Sequence, residues 1–179
     1  MEKTVFEYLD TDYRYLNNYI RAINTNLFVE PKKAIQKERS YVENLTQEVA
    51  KLEGYGLLNG MTQFERLRKL ESEGIFNYNI EKLFHMVRIL ENKAVGSDAK
   101  GKIEAALNIN RSIYNITNWF VKSYVYPKFE LVSYKDPIPQ EGKIYAVNDD
   151  EIADIMKKQY DYRIMEINKL KEENIRKKC

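Results

Sequence analysis

Residues 84–98 read FHMVRILENKAVGSD, and how this stretch folds decides the architecture around it. With the residues just before it, Ile80, Leu83, Phe84, Val87 and Leu90 recur at spacings of three and four, the period of a helix with one apolar side. Arg88 and Asn92 are four apart, share one helical face and lie within hydrogen-bonding reach of each other. Gly96-Ser97-Asp98 then interrupts the pattern. Ser97 or Asp98 suits the N-cap of the next helix, because a short side-chain oxygen there accepts from an otherwise orphan backbone N–H. The stretch therefore predicts an amphipathic helix that starts around Asn79 and stops at a turn.

The same period runs through most of the chain. Tyr13, Leu16, Tyr19, Ile20 and Ile23 form a first stripe, broken at Asn24 and Asn26. Pro31 suits the first turn of a second helix, where its missing N–H costs nothing. That helix carries Ile35, Val42, Leu45, Val49 and Leu52 on its buried side and ends at Gly54 and Gly56. Thr62 with Glu65 forms a capping box, opening a short helix through Phe64, Leu67 and Leu70 that stops near Gly74. After Asp98 a long helix places Ile103, Leu107, Ile113, Ile116 and Phe120 on a broad apolar face. The character changes between Val121 and Asp149, where Pro127, Pro137, Pro139 and Gly142 prevent long helices. YVYPKFELVSYKDP, from Tyr124, reads as extended chain wrapping the bundle. A last helix begins after Asp149 or Asp150. Its Ala153, Met156, Tyr160, Arg163, Ile167, Leu170 and Asn174 alternate in steps of three and four, a weak heptad seam. The expected architecture is all-α: a bundle of about five helices over 1–130, an extended linker over 131–149, and a projecting, coiled-coil-like helix over 150–179.

Composition narrows the function classes. Only 7 Gly and 4 Pro occur, which disfavours a strand-and-turn fold. The 29 basic and 27 acidic side chains leave a net charge of +2, far from the basic excess of a dedicated nucleic-acid binder. The one cysteine, Cys179, cannot form a disulfide within the chain, which fits a reducing cytoplasm. The N-terminal MEKTVFEYLD has no apolar core of a secretory signal, and no stretch approaches 18 apolar residues, so no membrane partner is expected. One His and one Cys cannot build a usual zinc site, and neither GxxxxGK[ST] nor GxGxxG is present. No metal, cofactor or catalytic residue is expected. The basic clusters Lys32-Lys33, Arg66-Arg68-Lys69 and Lys157-Lys158 are interleaved with acids and read as solvated helix faces; the terminal Arg176-Lys177-Lys178 is read the same way. The 14 tyrosines read as core rim with wetted hydroxyls, with Tyr124, Tyr126 and Tyr134 placed to seal a partner interface.

The segment from Arg88 resembles the signature of a helical domain at the N terminus of type I restriction endonuclease subunits and of other helicase or nuclease proteins, a domain similar to the HEPN superfamily. The pattern runs Arg, three residues, Gly-Asn, one residue, Ala-Val-His. Its counterparts are Arg88, Asn92, Ala94, Val95 and Gly96, with Glu91 in place of the Gly and Gly96 in place of the His. Pro31, Ala34, Arg39 and Glu43 resemble the family's second helix, FERLRKLESEGI from Phe64 its short helix, and Ala105–Phe120 its last bundle helix. The resemblance covers about residues 6–130, and the helix from Asp150 resembles the connector that follows it.

The resemblance implies a non-catalytic accessory or assembly domain of a bacterial-defence restriction subunit. ATP-dependent, site-specific DNA cleavage would belong to domains outside this chain. Expected partners are other domains or subunits of that complex, with DNA or RNA contact and a homodimer as further options. The polar centre is expected at Arg39, Glu43, Arg88 and Asn92, which would form one buried network if their helices pack together. HEPN ribonucleases resemble each other in pairing an Arg with a His that acts near neutral pH. Here Gly96 supplies no imidazole, and His85, one turn before Arg88, reads as structural or surface. A ribonuclease or RNA-binding module is the alternative, and a stand-alone oligomerisation module driven by the last helix is a third.

Overall fold

A computed structural model of the chain describes residues 3–178; Cys179, whose thiol bears on the redox expectation, lies outside the described residues. The described residues form six α-helices: α1 Arg14–Asn26, α2 Pro31–Leu52, α3 Gln63–Ser72, α4 Tyr78–Val95, α5 Ala99–Phe120 and α6 Asp149–Lys178. Short 3-10 turns at Val5–Leu9 and Gly56–Gly60 and a π-helical turn at Val121–Val125 complete it, with no strand among the described residues. No helix is long and apolar enough to cross a membrane among the described residues.

The helix ends follow from local chemistry. Pro31 opens α2 at its first turn. The Thr62–Glu65 box opens α3, with Thr62 N donating to Glu65 at 2.9 Å and Glu65 N to Thr62 at 3.3 Å. α4 starts slightly earlier than the periodicity suggests, because the Asn77 side chain accepts from Ile80 N at 3.0 Å and caps it. Asp98, not Ser97, caps α5 by accepting from Gly101 N at 2.8 Å. Asn148 and Glu151 form a reciprocal cap at the start of α6. Gly54 and Gly74 end α2 and α3 at φ of 81° and 72°, a left-handed conformation that side chains resist.

α5 is the central helix. Fourteen of its residues are buried, from Ile103 to Phe120, and it packs against α2, α4 and the first half of α6. Tyr41 on α2 is fully buried and its hydroxyl lies 2.6 Å from Thr117 Oγ1. At this position the wetted-hydroxyl expectation fails, because α5 supplies the partner that water would otherwise provide.

The segment over 126–148 does run extended along the bundle. Phe129 is buried against it, Tyr114 donates to Val132 O, Tyr134 donates to Asn110 Oδ1 at 3.0 Å, and Ala146 N donates to Phe28 O at 2.9 Å. Tyr124 and Tyr134 thus bind this chain itself, Tyr124 through Glu53 at 2.6 Å.

α6 packs by a stripe that meets the heptad seam only at Met156 and Arg163. Ile155 and Gln159 are buried and Ile152, Met156 and Arg163 half-buried, while Ala153 and Tyr160 of the seam face solvent. Residues 164–178 are all exposed and overhang the bundle.

Candidate binding groove

α2, α3 and α4 enclose an open groove of about 590 Å³. Arg39 and Glu43 line it from α2, Gln63, Phe64 and Arg66 from α3, and Arg88, Glu91 and Asn92 from α4. A smaller hollow of about 370 Å³ shares Arg39, Glu91 and Asn92 and adds Ile35, Val95 and Lys102. The two hollows adjoin at the three shared residues along the seam between α2 and α4.

All four residues of the expected polar centre line this groove, but they do not form a buried network. Arg39 Nε donates to Glu43 Oε1 at 3.1 Å with the Arg39 side chain 68% exposed. Arg88 and Asn92 are exposed, and no hydrogen bond joins them among the described residues. Arg88 instead lies over the Phe64 ring, 5.4 Å from its centre, a cation–π contact. Helix α3 stands beside α4 on this side and offers that ring. In the degenerate motif, Ala94 is buried, Val95 is 82% exposed and Gly96 lies at the C-terminal end of α4. His85 Nε2 lies 3.2 Å from Glu71 Oε1 of α3 and does not line the groove.

Arg66 corrects the sequence expectation. Read as part of a solvated basic face, it is only 2% exposed. Its guanidinium donates to Gln63 Oε1 at 2.6 Å and to Met61 O at 3.0 Å. Arg66 Nε and Gln63 Nε2 are buried without a hydrogen-bond partner among the described residues. Burial pushes the Arg66 guanidinium below its ordinary range, with Glu43 opposing. A buried donor without an acceptor costs on the order of 1–3 kcal/mol.

Two acids were not expected. Glu38, one residue before Arg39, is completely buried with both carboxylate oxygens unpartnered among the described residues. Burial, reinforced by Glu91, raises it well above the carboxylate range. Glu91 is pushed up to about 7, chiefly by burial, with Glu43 adding to the rise and Arg39 opposing it. At neutral pH the site thus carries Arg39, Arg66 and Arg88 against Glu43 and a partly ionised Glu91. The substitution of Glu91 for the motif's Gly was the available signal. Glu38 carried none, because a helical stripe does not announce an acid in its core.

A second polar cluster joins α5, the extended segment and α6. Arg111 donates to Asp136 Oδ1 at 3.1 Å and to Gln159 Oε1 at 2.9 Å, and stacks 4.6 Å from the Tyr162 ring centre. Arg163 donates to Tyr134 O at 3.2 Å and lies 3.5 Å from Asp136. Asp136 and Arg111 are each about nine-tenths buried. This cluster fastens α6 to the bundle and was not legible beforehand.

The chain matches no protein-family model, no curated protein and no solved structure. The site's own chemistry is therefore the guide to function. Among the described residues no group of three or more His, Cys, Asp or Glu side chains is placed to hold a metal ion. What the groove offers is recognition: guanidinium and amide donors, one free carboxylate and an exposed aromatic ring around a concave floor.

Proposed function

We propose that this chain is a non-catalytic binding and assembly module, and that it serves as the accessory domain of a type I restriction endonuclease subunit in the cytoplasm, the setting its motif resemblance implies. The observation that carries the assembly reading is the overhanging half of α6. Ile164, Met165, Ile167, Leu170 and Ile175 are 39–71% exposed there. Such a row of apolar side chains on one helix marks a contact surface. The upstream half is held on the bundle by Arg111 and Asp136, and the arm extends from that root.

Light scattering over a concentration series tests this reading. Mass should rise with concentration for the full chain and fall to that of a monomer on Ile167→Glu or Leu170→Glu. A strict monomer with unchanged behaviour in both variants counts against it.

The ribonuclease alternative draws support from Glu91, a group that titrates near neutrality in the same groove as Arg39 and Arg88. Incubation with single-stranded RNA should leave the RNA intact. Cutting that disappears in Glu91→Gln or His85→Ala would replace the non-catalytic reading.

A further inference from the structure

We propose that the groove between α2, α3 and α4 receives a peptide segment of a partner protein that carries an acidic side chain. The inference rests on the binding-module reading and names what one of its surfaces binds. Three arginines from three helices, Arg39, Arg66 and Arg88, line a single groove. Guanidinium forks match carboxylates in a bidentate geometry that point-like ammonium groups do not. Arg66 is the built element of the site: nine-tenths buried and more, anchored at two of its nitrogens, and unpartnered at Nε.

The wall chemistry favours a peptide over a nucleic acid. Glu43 and Glu91 line the same groove as the arginines, and Glu43 is paired with Arg39, so a chain with a phosphate at every step would meet carboxylates beside its cationic contacts. A peptide carries its charge at one side chain and neutral amides elsewhere. Asn59, Gln47 and Asn92 around the groove are the side chains that pair with backbone amides. The floor between them is apolar, with Val42, Leu67 and Val87, and suits the alternate side chains of such a segment. In this arrangement the ligand's carboxylate accepts from the exposed guanidinium groups of Arg39 and Arg88.

An array of random 12-residue peptides probed with the full-length chain tests the proposal, with fluorescein-labelled hexauridylate as a parallel probe. Bound peptides should share an Asp or Glu flanked by apolar residues. Arg88→Glu should lower their affinity at least 10-fold and Arg88→Lys by a smaller factor, with circular dichroism reporting the fold of each. Should Arg88→Glu fail to fold, Arg39→Glu, at a side chain 68% exposed, takes its place. Absence of bound peptides, bound peptides without acid enrichment, or binding indifferent to these substitutions overturns the proposal. So does hexauridylate binding that Arg88→Glu abolishes, which makes the groove a nucleic-acid site. The α6 light-scattering result is independent of all these outcomes, so failure of the groove proposal is separable from failure of the assembly reading.

Discussion

The two polar clusters of this domain are built from similar side chains and end in opposite states. Around Arg111, the guanidinium groups meet a carboxylate: Asp136 pairs with both Arg111 and Arg163, and Gln159 accepts from Arg111, although Arg111 Nε is buried without an acceptor among the described residues. In the α2–α4 groove, Arg66 donates only to the neutral oxygens of Gln63 and Met61, and Arg88 lies over a ring face, with no carboxylate paired to either among the described residues. What separates them is coverage by the chain's own later residues. The segment over 126–148 and the root of α6 close the first cluster, and nothing among the described residues closes the second. A polar cluster that the chain seals itself serves the fold; one left open is available to something else.

The largest test of this contrast is Arg111→Met. It removes the main partner of an Asp136 side chain that is only 8% exposed, and breaking a buried ion pair typically costs about 3 kcal/mol or more. Urea denaturation should show that loss, and limited proteolysis should cut sooner within 126–148. Unchanged stability would mean that the cluster does not hold α6.

Glu38→Met comes next. It replaces an unpartnered buried acid by an apolar side chain of similar length. The gain should be about 1–3 kcal/mol at neutral pH. The pH dependence sharpens the point. Glu38 and Glu91 have folded-state pKa values above their unfolded values. The folded state then binds more protons than the unfolded state. Their contribution is complete below the ordinary carboxylate range near pH 4.5 and is lost as pH rises through about 7 for Glu91 and through the raised value of Glu38. Melting temperature should therefore fall between pH 5 and pH 8 in the natural protein, and fall less in Glu38→Met. A flat profile in both proteins would contradict the assignment.

The smallest effect belongs to Arg39→Ala. Its pair with Glu43 is a solvent-exposed i, i+4 contact, worth roughly 0.5 kcal/mol or less. Stability should barely move on thermal melting, whereas binding in the groove should drop. A large loss of stability would place Arg39 with the sealed cluster instead of the open one.

Much of the bundle was legible because its signals are local. Pro31, Thr62 with Glu65, and Gly74 each act within one turn, and the stripes of α4 and α5 bury the residues their spacing selects. The seam read for α6 meets the packed face only at Met156 and Arg163, because apolar residues lie on more than one of its sides. The face that docks is chosen by Arg111, 48 residues from its partner Gln159, and no local period reports a contact at that separation. Of the groove, the motif resemblance singled out Arg39, Glu43, Arg88 and Asn92, and all four line it. Arg66 was lost in a charged run whose burial depends on α2 and α4, and Glu38 in a stripe that spacing marks as core without distinguishing an acid from a leucine.

The long tether before α6 also sets an order of assembly. α1 with α2 and α4 with α5 are neighbours joined by short turns, so their pairing closes small loops quickly. α6 meets α5 through pairs such as Lys100 with Asp154, only after the intervening stretch has been laid down. Its root should dock last and release first, and backbone amides of 150–163 should exchange with deuterium while those of α5 stay protected. The arm is thereby able to change its footing without unfolding the rest.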